Sequence, residues 1–391
     1  LTKRLITELQ QYDITPLCVC DGNPTLHGSL CCDIEVMSIE SAIELFGDFL
    51  VYTRNVQKRY EIIHYLESTA KIAKERIINY VPLFLKKGCH FLTSGCVVLN
   101  NHLHFCCGDT GKIWDTPSVE FDGDYDKLVD EFIELREKTI QELEVGIRNK
   151  CSDCPLVCDV YIPQFFELTS IRDGRFSVCN FKCVYCCANR ERHSDNVINL
   201  PKLINAFEQK QTFALNANVY YANGELTVNP ERKEIYECMK SFTQNQISTN
   251  AFIYSPEIAE LLQTNTVILV SMDSGTPETF RKVKGVDGWT GVCDTLRKYS
   301  ISALEGAIEL KYIFLPGLND NTTDINGFFA LAKEIKAGRV FISSDYTNEQ
   351  AITEHTIEMA KYFFNQAKLL NFPIVSSSQF MSKKLGIAYT S

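Results

Sequence analysis

From about residue 160 to the C-terminus, apolar residues gather in short runs that close on polar ones, with helix-length amphipathic stretches between them. The runs are Phe165 to Ile171, Val219-Tyr220-Tyr221-Ala222, Gln246-Ile247-Ser248-Thr249-Asn250, Val267 to Asp273, Glu309 to Phe314, and Arg339 to Ser343. Such β-branched and aromatic runs, alternating with helical patterns, predict parallel strands in repeating βα units. Each run ends in polar side chains, where this architecture places its chemistry.

The N-terminal stretch has a similar rhythm with shorter elements. The residues LTKRLITELQ read as a helix already under way, with Leu5 and Leu9 on one face, and the segment that would begin it is expected before Leu1. A strand Ile14 to Asp21 follows, then a turn at Asn23-Pro24, a strand Asp33 to Val36, a helix Ile39 to Leu45, a strand Phe49 to Tyr52, and a helix through Ile62, Ile63 and Leu66. Residues 1–75 resemble the later part of a Rossmann-like half, whose first strand and Gly-rich turn would precede Leu1. In such a unit Asp21 would grip a ribose. A fold used only for packing or docking fits the same pattern.

Residues 76–160 differ in character. A helix from Lys71 to Ile78 leads into a segment carrying Cys89, Cys96, Cys106 and Cys107. Alternating apolar residues around Asn100-Asn101 predict a β-hairpin, because Asn tolerates the positive φ of tight turns. The hairpin would bring Cys96 and Cys106 side by side. A charged amphipathic helix (Leu128, Phe132, Leu135, Ile140) then precedes Cys151-Ser152-Asp153-Cys154 and Cys158.

The chain has 391 residues, 45% of them hydrophobic and 23% charged, enough for two or three cores. A formal charge of −10 argues against a nucleic-acid backbone as partner. No apolar run reaches the length of a membrane span and no signal peptide is visible, so no membrane partner is expected. The 17 cysteines fall in local clusters, which favours metal over a disulfide framework and a reducing cytoplasmic setting.

The sharpest cluster is Cys179-Asn180-Phe181-Lys182-Cys183-Val184-Tyr185-Cys186. A CxxxCxxC spacing offers three thiolates from one loop. Four cysteines saturate an iron–sulfur cube, whereas three leave one iron open to another ligand. Zinc knuckles use similar spacings but normally need a second pair, and the neighbouring Cys187 could serve only as a decoy. With Tyr185 before the third cysteine, the loop resembles the CxxxCxφC signature of the radical S-adenosylmethionine (radical SAM) superfamily. The order of strands and motifs after it extends that resemblance over residues 161–391. It implies a partial (β/α)6 TIM-type barrel, a [4Fe-4S] cluster on Cys179, Cys183 and Cys186, and bound SAM.

The resemblance also assigns the strand ends. Asn223-Gly224-Glu225 resembles the family's GGE motif at the methionyl ammonium, with Asn in place of the first glycine. Ser271 and Asp273 resemble the polar residues that hold carboxylate or ribose, and Asn250 matches part of a Thr-Asn-Gly segment. Tyr185 would lie against adenine, and the strand around Ile342 would offer it backbone contacts. Taken singly, each motif is ordinary turn chemistry.

Two cysteines flanking a hairpin, then a helix, then CxxC, resemble the twitch form of the SPASM module. The resemblance implies an auxiliary [4Fe-4S] cluster on Cys96, Cys106, Cys151 and Cys154, with Cys89, Cys107 and Cys158 in reserve; a structural zinc on the same four is the alternative. The module precedes the barrel here, whereas it usually follows it. The implied activity is reductive SAM cleavage and hydrogen abstraction, fed by a flavodoxin- or ferredoxin-type donor, with the auxiliary cluster accepting an electron. Candidate substrates are a carbohydrate or nucleotide-linked small molecule, or else a peptide. A non-catalytic, zinc-binding Rossmann-type protein is the remaining reading.

Overall fold

The computed structural model describes residues 6, 9–10, 15–51, 56–79, 83–99, 101–106, 116–154, 156–163, 166–175, 178–186, 198–345 and 348–388. It divides into two compact units, Leu1–Pro82 and Leu83–Ser391. Among the described residues no helix is long and apolar enough to cross a membrane.

In the first unit, strands β1 (Val19–Cys20), β2 (Leu30–Cys31) and β3 (Ile34–Met37) form one small sheet in the order β1-β3-β2. A second, two-stranded sheet joins β4 (Phe49–Val51) to β5 (Ile77–Asn79) in parallel. The helix Ile39–Leu45 falls where the hydrophobic pattern puts it. Two features depart from that pattern. Cys32 and Asp33 both take positive φ, 51° and 64°, and close a tight antiparallel β2–β3 hairpin where a parallel unit was expected. Residues 77 and 78, read as the end of a helix, instead belong to strand β5, because pairing with β4 outweighs their local preference. The described residues of this unit therefore do not join into one Rossmann-like sheet.

The second unit opens with β6 (Leu83–Gly88), then β7 (Gly95–Leu99), β8 (His102–His104), β9 (Ser118–Glu120) and β10 (Cys158–Pro163). The barrel strands follow: β11 (Leu168–Asp173), β12 (Phe213–Tyr221), β13 (Gln244–Thr249), β14 (Thr266–Ser271), β15 (Ile308–Phe314), β16 (Arg339–Ser344) and β17 (Ile374–Ser376). One ten-stranded sheet runs β17-β16-β15-β14-β13-β12-β11-β7-β8-β9. Strands β11 to β17 are parallel throughout, the mixed α/β architecture of a TIM-type barrel. All six expected barrel strands are present.

The expected hairpin forms between β7 and β8, with Val97 opposite His104, although its turn residue Asn100 lies outside the described residues. The break expected near residue 160 separates no compact body. Strand β7 runs parallel to β11, with Cys96 opposite Ile171, so the cysteine-bearing segment is part of the barrel sheet. All five residues of β7 are buried, and a strand covered on both faces has to lie inside a sheet.

Helices cover the outer face. Tyr312, Phe328, Phe329 and Phe363 form an aromatic cluster there, with the Phe329 and Phe363 rings 4.7 Å apart. Leu310 and Tyr312 of β15 point into this layer, as do Val270 and Met272 at the end of β14. The alternating residues of each strand consequently face the barrel interior.

Candidate active site

The cysteine loop leaves the C-terminal end of β11 and is pinned from below. Lys182 and Val184 donate backbone N–H groups to the carbonyls of Lys284 and Val283, at 3.0 Å each, in the last turn of the helix Pro277–Lys284. That helix ends on Gly285 with φ +70°. A Cβ there would stand 2.7 Å from the Lys182 carbonyl oxygen, so the residue has to be glycine on both counts. Phe181 is buried between Phe252 and Phe280, which anchors the loop's apolar side.

Within the loop, Cys179 is exposed and Cys183 and Cys186 are half-buried. The Phe181 N–H points at Cys179 Sγ, 3.4 Å away, and the Cys186 N–H closes a turn on the Cys183 carbonyl. Although the residue is exposed overall, desolvation of its sulfur by the surrounding protein pushes the Cys179 thiol up to about 11; the Phe181 N–H opposes this, while Glu225, Cys183 and Cys186 add to it. Burial likewise raises Cys183, against the pull of the Lys284 ammonium. Metal ligation needs thiolates, so loading this loop releases protons. Among the described residues no three His, Cys, Asp or Glu side chains already converge on one point. An iron–sulfur cube does not require that convergence, since each thiolate takes a separate iron, and three neighbouring thiols on one short loop fit it.

The strand ends carry the expected residues, several of them already engaged by the protein. Glu225 is fully buried after Gly224, which has φ +76°. Its carboxylate accepts the Asn250 N–H at 2.6 Å, the Thr227 N–H and hydroxyl, and the Thr249 hydroxyl. Burial raises its pKa and these four donors lower it. Glu225 thus staples the end of β12 to the end of β13. Its own N–H bonds the Val178 carbonyl, which ties the staple to the cysteine loop. Asn223 donates to the Gly174 carbonyl at 2.7 Å, and the Asn250 amide reaches the Asn180 side chain at 2.6 Å.

Asp273 is buried too. Its carboxylate pairs with the Lys284 ammonium and accepts the Tyr185 hydroxyl at 2.5 Å and the Ile313 N–H at 2.7 Å. Asn319 donates to its backbone carbonyl at 2.8 Å. Tyr185, expected against adenine, packs beside Val283, Ile313 and Leu315, with Lys284 over its ring. The Ile342 carbonyl, expected to face adenine, accepts the Ser377 N–H at 3.0 Å and the Ser376 hydroxyl, and the Ile342 side chain is in the core. Ser271 remains on the inner face, flanked by the outward Val270 and Met272. Sequence reading missed Lys284 and Asn319: a lysine in a helix's last turn reads as a solvated complement to the dipole.

Residues 175–329, which include the cysteine loop and three of these strand ends, match the family profile described as the Radical SAM superfamily. The chain carries a radical SAM domain. Such domains use a [4Fe-4S] cluster and SAM. Among curated proteins the chain is similar to a "UPF0026 protein" of Helicobacter pylori, 23% identical over 181 residues that span 42% of this chain and 58% of the relative. It is also similar to a "Probable GTP 3',8-cyclase" of Saccharolobus islandicus, 24% identical over 183 residues, 45% of this chain and 56% of the relative. The chain thus matches little more than half the length of these relatives. Among solved structures, Streptococcus suis SuiB bound to precursor peptide SuiA aligns with a TM-score of 0.45 and 12% identity, over 74% of this chain and 73% of that one.

A second cysteine group lies N-terminal to the matched radical SAM region. Burial pushes the Cys151 thiol up to about 12, with added repulsion from Cys89, Cys106 and Cys154. Cys89 is raised by burial, with Cys154 and Cys158 contributing. Cys151 is thus within electrostatic reach of Cys89, Cys106 and Cys154, and Cys89 of Cys154 and Cys158, though among the described residues no three of them converge on one point. Cys96 stands apart: it is 1% exposed, a member of the main apolar core, and burial alone raises it. The alternation of β7 sends its side chain into the apolar core. Cys107 lies outside the described residues. Because Gly95 pairs with Ser170, the Cys106 end of the hairpin sits at the N-terminal end of β11, opposite the end that carries the Cys179 loop.

Proposed function

We propose that the protein is a radical SAM enzyme whose SAM-binding cluster sits on Cys179, Cys183 and Cys186. An auxiliary cluster is assigned to Cys89, Cys106, Cys151 and Cys154, with Cys158 beside them. The observation that carries this is the three-thiol loop, held at the C-terminal mouth of a parallel barrel by Val283, Lys284 and Gly285 and joined through Val178 to Glu225. When bound, the cluster and SAM supply the electron and the 5'-deoxyadenosyl radical that takes a hydrogen atom from substrate.

The chain's own part is positioning. Phe181 and the carbonyls of Val283 and Lys284 fix the height of the thiols. The Glu225 staple and the Asp273–Lys284–Tyr185 cluster hold three strand ends at one level, leaving Asn250 and Ser271 at the mouth. In this reading Glu225 and Asp273 are positioning residues.

For the substrate class we favour a small carbohydrate or nucleotide-linked metabolite over a peptide, in keeping with the name of the cyclase relative. The test is anaerobic reconstitution followed by iron analysis and 5'-deoxyadenosine formation under a strong reductant. About eight irons and SAM cleavage are expected. Zinc in both cysteine groups, or cleavage undiminished in Cys183→Ala, overturns the assignment.

A further inference from the structure

The first compact unit carries a group of sulfur side chains that the barrel chemistry does not use. In its three-stranded sheet, the parallel β1–β3 register pairs Val19 with Val36 and Cys20 with Met37. Residues paired across a sheet share a face, and successive residues alternate between the two faces. Ile34 and Val36 are buried on one face, so Glu35, Met37 and Cys20 lie on the other. Cys18, directly before β1, comes to that same side: its thiol is hydrogen-bonded with Cys20, and the Glu35 charge acts on it. Two thiols and a thioether therefore share the more open face, with Cys20 exposed and Cys18 and Met37 half-buried. Cys31 pairs with Ile34 and belongs to the opposite face.

Strand geometry decides what such a pair of thiols can do. Val19 is a strand residue, which sets Cys18 and Cys20 about 6.6 Å apart along the chain, with side chains on one face. A disulfide needs Cβ atoms about 3.8 Å apart, so joining these two sulfurs directly would break the strand. One ion spans the gap instead, through two metal–sulfur bonds of about 2.3 Å each. The donors select the ion. Structural zinc takes four thiolate or imidazole ligands, and among the described residues no three His, Cys, Asp or Glu side chains converge on one point. Calcium and magnesium want oxygen. Thiolate with thioether is the soft set that suits Cu(I), which two or three sulfurs satisfy. Glu35 beside Cys18 and Glu40 beside Cys20 keep the surroundings negative, which a bound cation relieves.

We infer that Cys18, Cys20 and Met37 form a site for a soft, thiophilic monovalent cation of the Cu(I) class on the open face of the N-terminal sheet. The site belongs to the first unit alone and is independent of the reaction assigned to the barrel.

The experiment is carbon-13 methyl NMR of the full chain with labelled methionine, titrated anaerobically with Cu(I) as its acetonitrile complex. The chain has five methionines, and the signal that disappears in Met37→Leu is that of Met37. Reading this one methyl keeps the other thiols of the chain out of the measurement. The Met37 signal should shift as Cu(I) is added and should stay in place with the same amount of Zn(II). Cys20→Ser, at an exposed position, should abolish the Cu(I) shift, as should Cys18→Ser, while Cys31→Ser on the opposite face should keep it. An unmoved Met37 signal in the metal-free Cys20→Ser protein shows that the sheet is intact, so the loss is one of ligation. The inference is overturned if Cu(I) leaves the Met37 methyl unmoved in wild type, if Cys18→Ser and Cys20→Ser respond as wild type does, if Cys31→Ser abolishes the response, or if Zn(II) moves the signal as far as Cu(I).

Discussion

Lys284 and Asp273 pair beneath the cysteine loop with side chains only 2% and 0% exposed, and the Tyr185 hydroxyl from that loop bonds to both. The helix that holds the loop from below and the strand end beside it are therefore joined through one buried charge pair. Removing one partner leaves the other as an uncompensated interior charge. Asp273→Asn is expected to cost about 3 to 5 kcal/mol, and adding Lys284→Met should recover most of it. Urea midpoints of the single and double variants check this. A double variant no more stable than Asp273→Asn would mean that the pair is not coupled as the geometry requires.

Gly285 gives a separate handle on the same loop. Gly285→Ala adds a methyl 2.7 Å from the Lys182 carbonyl oxygen in a left-handed conformation, which itself costs about 1 to 2 kcal/mol. The loop has to lift. Iron in the SAM-binding site should fall together with 5'-deoxyadenosine yield, and iron in the second site should stay. Electron paramagnetic resonance of the reduced clusters separates the two.

Cysteine substitutions should sort by group. Cys89→Ala, or Cys151→Ala with Cys154→Ala, should remove about four of eight irons and block product while leaving some SAM cleavage. Cys96→Ala should leave the iron count unchanged and cost only packing, about 1 kcal/mol for a small buried side chain. An iron loss in Cys96→Ala would return that residue to the ligand set.

Glu225 makes stability depend on pH. Its folded-state pKa lies above the ordinary glutamate value of 4.5, chiefly through burial. Between those two values the folded protein holds a proton that the unfolded chain releases, so this contribution is present below 4.5 and is lost as pH rises through the folded value. Glu225→Gln cannot ionise. The stability of wild type relative to Glu225→Gln should decline as pH rises above 4.5, read from denaturation midpoints across the range. A constant difference would mean that the staple carries no such linkage.

The six barrel strands were legible because apolar runs closing on polar ends leave a period that local sequence carries, and CxxxCxxC spacing places three thiols on one loop wherever the chain goes. What the side chains at the strand ends do was less legible. Glu225 and Asp273 look like ligand contacts in sequence, yet their oxygens are occupied by Thr249, Asn250, Lys284 and Ile313, partners 11 to 40 residues away in the chain. Cys96 against Cys89 turned on the facing of β7, which its uniformly apolar sequence does not encode.

Strand β7, laid along β11, has one further effect. An open barrel ends in bare rows of amide and carbonyl groups, a template onto which another polypeptide can add. Here the first barrel strand has a neighbour on both sides, and the outermost strands of the sheet are β9 and β17, only three residues each. So short an edge offers little backbone to a stray strand. The segment that brings cysteines to the sheet therefore also guards the protein against edge-to-edge aggregation, and mutations that loosen β7 from β11 should reveal themselves as insolubility before they appear as lost cluster binding.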